Sequence, residues 1–391
     1  MMKRTGDPEI AREINKALVL DLLRKNDRIS RADIARSLAL SKVTVSTIVA
    51  ELIGARFVAE QGMGESQENG GRKPILLSLD TAHALVIGVD IGTTSTGVAL
   101  ADLKGHVLFS EREPTGESHT VEETAAQVTR LVKRAASGKV LALGVSVAGI
   151  VDRAGGFIHF SPDFGWEKVP LRDILERETG LRVLVDNCTR AMALGEKWYG
   201  CVGDARNVFY VNVGYGIGSA LIINNRIYDN HSEFGHTPVT RQQVRCHCGK
   251  LGCLEAVASG NAIERQANGD RTEGSSGWVS ARELAERAQG GDGKARQIFA
   301  ESGRYLGRGI SMATNLFNPD KVIIGGGISL AGDLLLQPLL AEFGAQTMEI
   351  IKKNTRIELS ALGTDAGVRG AIALALNASV FRSNFVDGLR G

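Results

Sequence analysis

The chain has 391 residues, 43% of them hydrophobic and 23% charged, a composition typical of a globular protein with two or three domains. Its 46 basic and 44 acidic residues leave a formal charge of +2, so no strong overall field indicates a nucleic-acid partner. No segment approaches the roughly 18 consecutive apolar residues of a membrane span, and the N-terminus lacks the apolar core of a signal peptide. Five cysteines in a chain of this length are too few for a disulfide framework. We therefore expect a cytoplasmic protein without a membrane partner.

The first 80 residues predict a separate unit. Apolar side chains at helical spacing predict a first helix over residues 9–25. Ser30 and Ser41 are then placed to cap two further helices, which are separated by a brief turn. Two short helices joined in this way are typical of a helix-turn-helix, whose second helix enters the major groove of DNA. Two strand-like segments follow, over residues 57–61 and 74–79, and predict a wing.

This unit also carries the whole net charge. It has 13 basic and 11 acidic residues, whereas the remainder of the chain has 33 of each. A few well-placed cations are enough for phosphate contacts, so the small excess is compatible with DNA binding. The exposed side of the third helix and the basic wing predict DNA contacts from Lys42, Val43, Thr44, Ser46, Thr47, Arg72 and Lys73. On pattern alone, a small helical dimerisation or adaptor module is the alternative.

The rest of the chain repeats a pattern of strand, glycine-rich turn, strand, turn and strand. The two copies are offset by 122 residues, so that Asp90 aligns with Asn212 and Gly92 with Gly214. This repetition predicts two similar α/β lobes. Glycine turns of this kind let backbone amides approach a phosphate, as in actin-like phosphotransferases, although each turn alone is equally compatible with a structural role. The candidate phosphate-loop residues are Asp90, Gly92, Thr94, Gly214 and Gly216.

The strongest chemical signal is a cluster of cysteines. Cys246, Cys248 and Cys253 lie within eight residues, and His236 precedes them. Three thiolates and one imidazole suit a tetrahedral zinc ion, and four protein ligands leave no position for a reactive water. We therefore predict a structural zinc site. The spacing leaves two alternatives open, namely three unligated thiols and His247 as ligand in place of His236.

These motifs together resemble the signature of the ROK family of sugar kinases and transcriptional repressors. The resemblance rests first on Glu233-Phe234-Gly235-His236 and on Cys246-x-Cys248-Gly249-x-x-Gly252-Cys253-x-Glu255. Asp90-x-Gly92-x-Thr94 is similar to the first phosphate motif of the family, and residues 161–166 to its sugar-side loop. The winged helix, which ends in Gly71-Arg72-Lys73-Pro74, resembles the repressors rather than the kinases.

The resemblance implies an α/β fold with a winged helix-turn-helix followed by two actin-like (ribonuclease H-like) lobes that carry a zinc loop and hold a sugar between them. The implied domains are residues 1–80, residues 81–187 completed by a C-terminal helix over 374–391, and residues 188–373. It favours His236 as the zinc ligand, with the second ring nitrogen toward a sugar hydroxyl. The implied sugar-binding residues are Asn187, Glu233, His236, Glu255 and Asp163, the last altering the hydroxyl pattern that is accepted. The alternative for the two glutamates is an exposed carboxylate on a loop.

Several positions depart from the family's kinases. Where the kinases have an Asp as general base after the Asn, this chain has Cys188 after Asn187, and a neutral thiol is a poor base. Tyr215 replaces a small Thr of the second phosphate loop, Ser95 stands where Lys is frequent, and Ala148 where Pro is usual. These departures predict a protein without kinase activity.

The resulting hypothesis is a sugar-responsive repressor of carbohydrate-metabolism genes. It would act as a homodimer or homotetramer on a palindromic operator, and a sugar would release or modulate it. Two alternatives remain, an active ATP-dependent sugar kinase with an appended regulatory domain and a repressor that a protein partner sequesters. The sugar, the operator sequence and the direction of the response are left open.

Overall fold

The computed structural model describes residues 8–64, 73–116, 118–269, 271 and 275–381. Contacts divide the chain into two compact units. The first comprises Met1–Asn187 together with Ala371–Gly391, and the second comprises Cys188–Gly370. The winged helix-turn-helix and the first α/β lobe therefore belong to one unit. The three-domain division drawn from the sequence stays a prediction.

The N-terminal part of the first unit is a winged helix-turn-helix, as predicted. Its elements are α1 (Pro8–Lys25), β1 (Ile29–Ser30), α2 (Arg31–Ser37), α3 (Lys42–Gly54), β2 (Val58–Met63) and β3 (Ile75–Leu79). The side chain of Ser30 accepts a hydrogen bond from the backbone N–H of Asp33 at 3.2 Å, and that of Ser41 from Thr44 at 3.0 Å. These caps begin α2 and α3 where the sequence predicts. The strand β1, which the sequence analysis did not predict, pairs with β3, so the antiparallel sheet has the order β1-β3-β2.

The α/β lobe of the first unit is built on a five-stranded sheet. Its elements are β4 (Leu85–Ile91), β5 (Ser95–Ala101), β6 (Val107–Pro114), α4 (Val121–Ala135), β7 (Val140–Val147), β8 (Ile150–Asp152), β9 (Phe157–Ser161), β10 (Trp166–Val169), α5 (Leu171–Thr179) and β11 (Val183–Asn187). The main sheet has the order β11-β7-β4-β5-β6, while β8, β9 and β10 form a small sheet of their own. The central strands β7, β4 and β5 bury nearly continuous apolar runs, as expected for strands covered on both faces, whereas the edge strand β6 is largely exposed.

The second unit repeats this topology. Its elements are α6 (Cys188–Tyr199), β12 (Val208–Val213), β13 (Ile217–Ile223), β14 (Arg226–Ile227), α7 (Leu254–Ala258), α8 (Gly260–Asn268), α9 (Ala281–Gln289), α10 (Gly293–Phe317), β15 (Lys321–Gly325), α11 (Asp333–Gln346), α12 (Glu349–Lys352) and β16 (Arg356–Leu359). The sheet order is β14-β13-β12-β15-β16. In each lobe the first three strands are antiparallel and the last two run parallel to the first. The internal repeat read from the sequence is thereby confirmed.

The last helix begins earlier than the sequence suggested. We predicted a helix over residues 374–391, whereas α13 spans Ala366–Leu376 and continues as a π-helical turn over Asn377–Phe381. Glycines near its start obscure the helical pattern in the sequence, but the helix forms because its apolar residues are buried. The π-helical turn packs on α1, with the guanidinium of Arg24 5.9 Å from the ring centre of Phe381. Residues 382–391 of the predicted helix lie outside the described residues.

Among the residues that the structure describes, no helix is both long and apolar enough to cross a bilayer.

Candidate functional site

The cysteine cluster lies on a tight loop after β14, over residues 246–253. The backbone N–H of Cys246 donates to the carbonyl of Lys250 at 2.8 Å, which closes the loop. Gly252 has φ +72°, and a Cβ there would lie 2.3 Å from the carbonyl oxygen of Thr240. Only glycine tolerates both the positive φ and this close approach, so Gly252 is required for the loop to pack against the backbone of Thr240. We refer to residues 246–253 as the cysteine loop.

Four side chains converge at this loop in an arrangement that could hold a metal ion. The ligand atoms of His236, Cys246, Cys248 and Cys253 all lie within 4.8 Å of one another. His236 Nδ1 is 3.6 Å from Cys246 Sγ, and Cys248 Sγ is 3.7 Å from Cys253 Sγ. Bonds of about 2.3 Å to a tetrahedral ion place the ligand atoms roughly 3.7 Å apart, so the spacing fits such a site.

The three thiols of this cluster differ in the direction in which their pKa values are shifted. Burial raises the pKa of Cys246, and burial together with the neighbouring thiols raises that of Cys253 to about 12. At Cys248 the effect of burial is outweighed by hydrogen bonds from the backbone of Lys250 and from the two other thiols, so its pKa is lowered. Three sulfurs this close ionise together only when a cation balances their charge.

His247 lies beside this group rather than in it. Its Nδ1 is 3.3 Å from Glu255 Oε1, and its ring is edge-on to that of His236, with centres 5.4 Å apart. With Glu255 and His236 it forms a second group of possible ligands. The group of possible ligands that contains the three cysteines includes His236 and not His247, which favours His236 as the fourth ligand.

The two glutamates near His236 have different environments. The side chain of Glu233 is 60% exposed, and its Oε2 is 3.8 Å from His236 Nε2. Glu255, in contrast, is buried, and its Oε2 accepts a hydrogen bond from the backbone N–H of Ile217 at 2.7 Å. A Cβ at Gly216 would lie 2.5 Å from that same oxygen, so the glycine makes room for the carboxylate. Glu255 therefore anchors the second glycine turn, a role that its place in the sequence motif does not reveal.

The other two predicted sugar-binding residues belong to the first unit. Asn187 ends β11, and its side-chain amide donates to the carbonyl of Gly149 at 2.9 Å. Asp163 is exposed on the turn between β9 and β10. The buried side chains of Phe164 and Trp166 hold this turn, and the indole N–H of Trp166 donates to the carbonyl of His119 at 2.7 Å.

The first glycine turn follows β4. Asp90 is buried there and accepts a hydrogen bond from Ser146 Oγ at 2.8 Å. Burial raises the pKa of Asp90, while Ser146 and Arg112 act in the opposite direction. The backbone N–H of Gly92 donates to the carbonyl of Ser95 at 3.1 Å, and Thr94 is exposed. Sequence reasoning missed Ser146, although a single polar residue inside the buried run of β7 is the signal that could have found it.

The second glycine turn is held by the start of α8. The backbone N–H groups of Gly260 and Asn261 donate to the carbonyls of Gly214 and Tyr215, at 2.8 and 3.2 Å. Within the turn, the N–H of Gly214 donates to the carbonyl of Gly216 at 2.9 Å. The first amides of a helix are a ready site for an anion. Here two of them are used by the turn itself.

The predicted DNA-contact residues on α3 lie on its outer face. Lys42, Val43, Ser46 and Thr47 are exposed, whereas the stripe that packs inward, Val45, Ile48, Val49 and Leu52, is at most 1% exposed. Thr44 is half-buried, with its Oγ1 2.8 Å from Ser41 Oγ in the helix cap. Lys73 is exposed at the end of the wing, and Arg72 lies outside the described residues.

A family model described as "ROK family" matches residues 86–378, and one described as "Winged helix-turn-helix DNA-binding" matches residues 9–58. The chain belongs to the ROK family. The predicted family, the winged helix-turn-helix and the two actin-like lobes are thereby confirmed.

Two regulators resemble the chain over nearly its whole length. The "Xylose repressor" of Caldicellulosiruptor bescii is 32% identical over 95% of this chain and 98% of its own length. The "DNA-binding transcriptional dual regulator NagC" of Escherichia coli is 30% identical over 95% of each chain. A crystal structure described as a ROK family transcriptional regulator, homolog of the E. coli MLC protein, has a TM-score of 0.82 and 26% identity, covering 98% of this chain and all of its own.

A ROK kinase resembles about three quarters of the chain. The crystal structure of a ROK family glucokinase from Streptomyces griseus in complex with glucose and AMPPNP has a TM-score of 0.68 and 31% identity. It covers 74% of this chain and 98% of its own. The chain therefore resembles regulators over nearly its whole length and this kinase over a smaller share.

Proposed function

We propose that this ROK protein is a sugar-responsive transcriptional regulator that represses carbohydrate-metabolism genes. The proposal rests on a winged helix-turn-helix, with an exposed outer face on α3, in the same chain as the ROK lobes. The chain also resembles two transcriptional regulators, one of them named a xylose repressor, over nearly their full length. Two winged helices related by a two-fold axis would read a palindromic operator, so the active form is a homodimer or homotetramer.

The sugar is proposed to bind at the residues around His236. Carboxylates and an imidazole suit vicinal hydroxyls, which present paired donors and acceptors. Glu233 and His236 lie side by side, and Glu255 is held on the other edge of the imidazole, 3.8 Å from its Nδ1. Asn187 and Asp163 stay proposed sugar-binding residues, as the family resemblance implies.

The metal is proposed to be zinc, held by the imidazole and the three thiolates of the cysteine loop. With four protein ligands its role is structural, because no coordination position remains for a reacting group. His236 Nδ1 lies on the side of the cysteines and Nε2 on the side of Glu233. A ligated Nδ1 fixes the tautomer in which Nε2 carries the proton. Nε2 then donates toward Glu233 or a sugar hydroxyl.

We further propose that the chain does not phosphorylate the sugar. Cys188 occupies the start of α6, where family kinases have the catalytic Asp. Asp186 does not replace it, because its side chain is buried, accepts the backbone N–H of Asn187 at 2.7 Å and faces Arg153 at 3.5 Å. The Asp186 carboxylate would take the place of the missing base only if the strand shifted by one residue, because neighbouring side chains of a strand point to opposite faces.

A coupled ATP assay over common hexoses and pentoses should therefore stay at background for the wild-type protein. The matched variant Cys188→Asp restores a carboxylate at the same position, so any turnover that it gains would show that the base alone is missing. Robust turnover by the wild-type protein would contradict the proposal and favour the kinase alternative.

The regulatory function is tested by the coupling between sugar and DNA. A thermal-shift screen identifies the sugar, because a specific ligand raises the apparent stability. Sugar affinity is then measured with and without operator DNA. We expect a change of about 5- to 150-fold, equal to the change that the sugar causes in operator affinity, since such coupling is reciprocal. Weaker sugar binding in the presence of DNA identifies an inducer, and tighter binding a co-repressor. Identical sugar affinities in the two conditions would refute the function.

A further inference from the structure

We propose that Val43 makes operator recognition depend on the 5-methyl group of a thymine, so that each half-site has an A·T pair beneath the start of α3. This inference rests on the proposed DNA-binding function and goes beyond it by naming the base that the recognition helix reads. It follows from the position of one exposed apolar side chain and from the hydrogen bonds of its neighbours.

Val43 is the second residue of α3, and it is 77% exposed. The four apolar residues of the inner stripe already supply the packing of this helix, so the fold does not need a valine here. Exposure alone is unremarkable for a single apolar residue. The exposure of Val43 is informative because of its position, since the N-terminal residues of a recognition helix contact base edges in the major groove.

Thr47 lies one turn further along on the same face as Val43. Its Oγ1 donates to the carbonyl of Val43 at 3.1 Å, so the hydroxyl proton is used within the helix. The oxygen then faces outward with lone pairs, as an acceptor. This part of the helix surface therefore offers an apolar side chain and, next to it, a hydrogen-bond acceptor.

That combination is complementary to an A·T pair. In the major groove thymine presents its 5-methyl group and adenine an N6 donor, whereas guanine presents two acceptors, N7 and O6. Apolar side chains contact the thymine methyl, while guanine is read by donors such as Arg. Val43 and Thr47 thus match a thymine and the adenine N6 group, and Lys42, exposed at the helix start, is placed for a phosphate.

The test removes the methyl group from the DNA and the side chain from the protein. Operators are selected from a random duplex library with the full-length protein, and each thymine is replaced singly by 2′-deoxyuridine, which pairs identically and lacks only the methyl. We expect one thymine in each half-site whose replacement weakens wild-type binding about three- to fivefold. The same replacement should have no effect on the Val43→Ala variant.

Two further variants make the result specific. Leu18→Ala removes another exposed apolar side chain of the winged helix, 45% exposed on α1, and should retain the full methyl effect. Val43→Thr keeps one of the two γ-methyl groups, so its methyl effect should be intermediate, and it serves where Val43→Ala binds too weakly to measure. Two results would overturn this inference alone. In one, replacing thymine by 2′-deoxyuridine weakens binding by the Val43 variants as much as it weakens binding by the wild-type protein. In the other, the protein binds an operator in which no single thymine replacement weakens binding. Failure to bind any duplex overturns the proposed function as well.

Discussion

Replacing Cys253 by Ser is expected to release the metal ion and to abolish the response to sugar. Cys253 is 1% exposed, stands at the cap position of α7 and lies 3.7 Å from Cys248 Sγ. A hydroxyl is a much poorer ligand than a thiolate, and the remaining three side chains cannot complete a tetrahedral site. Because the proposed metal would bind the folded loop and not the unfolded chain, its free energy of binding would stabilise the fold.

The expected loss of stability is about 3 kcal/mol, which for a unit of this size lowers the midpoint of thermal unfolding by roughly 6–12 °C. Metal content by elemental analysis and calorimetric unfolding are the measurements. Cys201→Ser is the matched control, because Cys201 lies outside the cysteine loop. Its pKa, raised to about 11 chiefly by burial, keeps the thiol protonated, 3.4 Å from Glu196 Oε2. Serine can make the same hydrogen bond, so this variant should retain the metal. A Cys253→Ser protein that keeps a full complement of metal would contradict the assignment.

Replacing Glu255 by Ala is expected to lower both sugar affinity and stability, whereas Glu233→Ala should lower sugar affinity alone. Hydrogen bonds to charged groups contribute about 1.5–3 kcal/mol, so each variant should bind sugar roughly 10- to 100-fold more weakly. Glu255→Ala also leaves the buried N–H of Ile217 without its acceptor, which costs a further 1–3 kcal/mol, roughly, in the free energy of unfolding.

The two variants control for each other, since both remove one carboxylate beside the same imidazole. Isothermal titration with the sugar found by thermal shift gives the affinities, and calorimetric unfolding gives the stabilities. Wild-type sugar binding by Glu233→Ala would remove Glu233 from the sugar site. An unchanged unfolding midpoint for Glu255→Ala would show that the contact with the glycine turn contributes nothing to stability.

Short-range features of this protein are readable in the sequence. The caps at Ser30 and Ser41 act on amides three residues away, so the residue type and the following periodicity are enough to predict where α2 and α3 begin. The cysteine loop is likewise predictable from local sequence, because three cysteines within eight residues have few ways to bring their sulfur atoms together. The repeated strand and turn pattern predicted two similar lobes, and each lobe folds with the same strand order.

What only the tertiary structure decided are the contacts between distant segments. Ile217 and Glu255 are separated by 38 residues, and Asp90 and Ser146 by 56. Local sequence propensities do not predict such pairs, because the two residues meet only when sheet register and helix packing bring their segments together. For the same reason the sequence left both glutamates as candidate exposed carboxylates, whereas the fold buries Glu255 and leaves Glu233 exposed. The sequence by itself determined the family and the winged helix through its motifs and helix caps, and it predicted the three cysteines as ligands because they lie within eight residues. The tertiary structure decided which histidine lies within reach of all three cysteines and which carboxylate anchors the glycine turn, because burial and distance are properties of the packed chain.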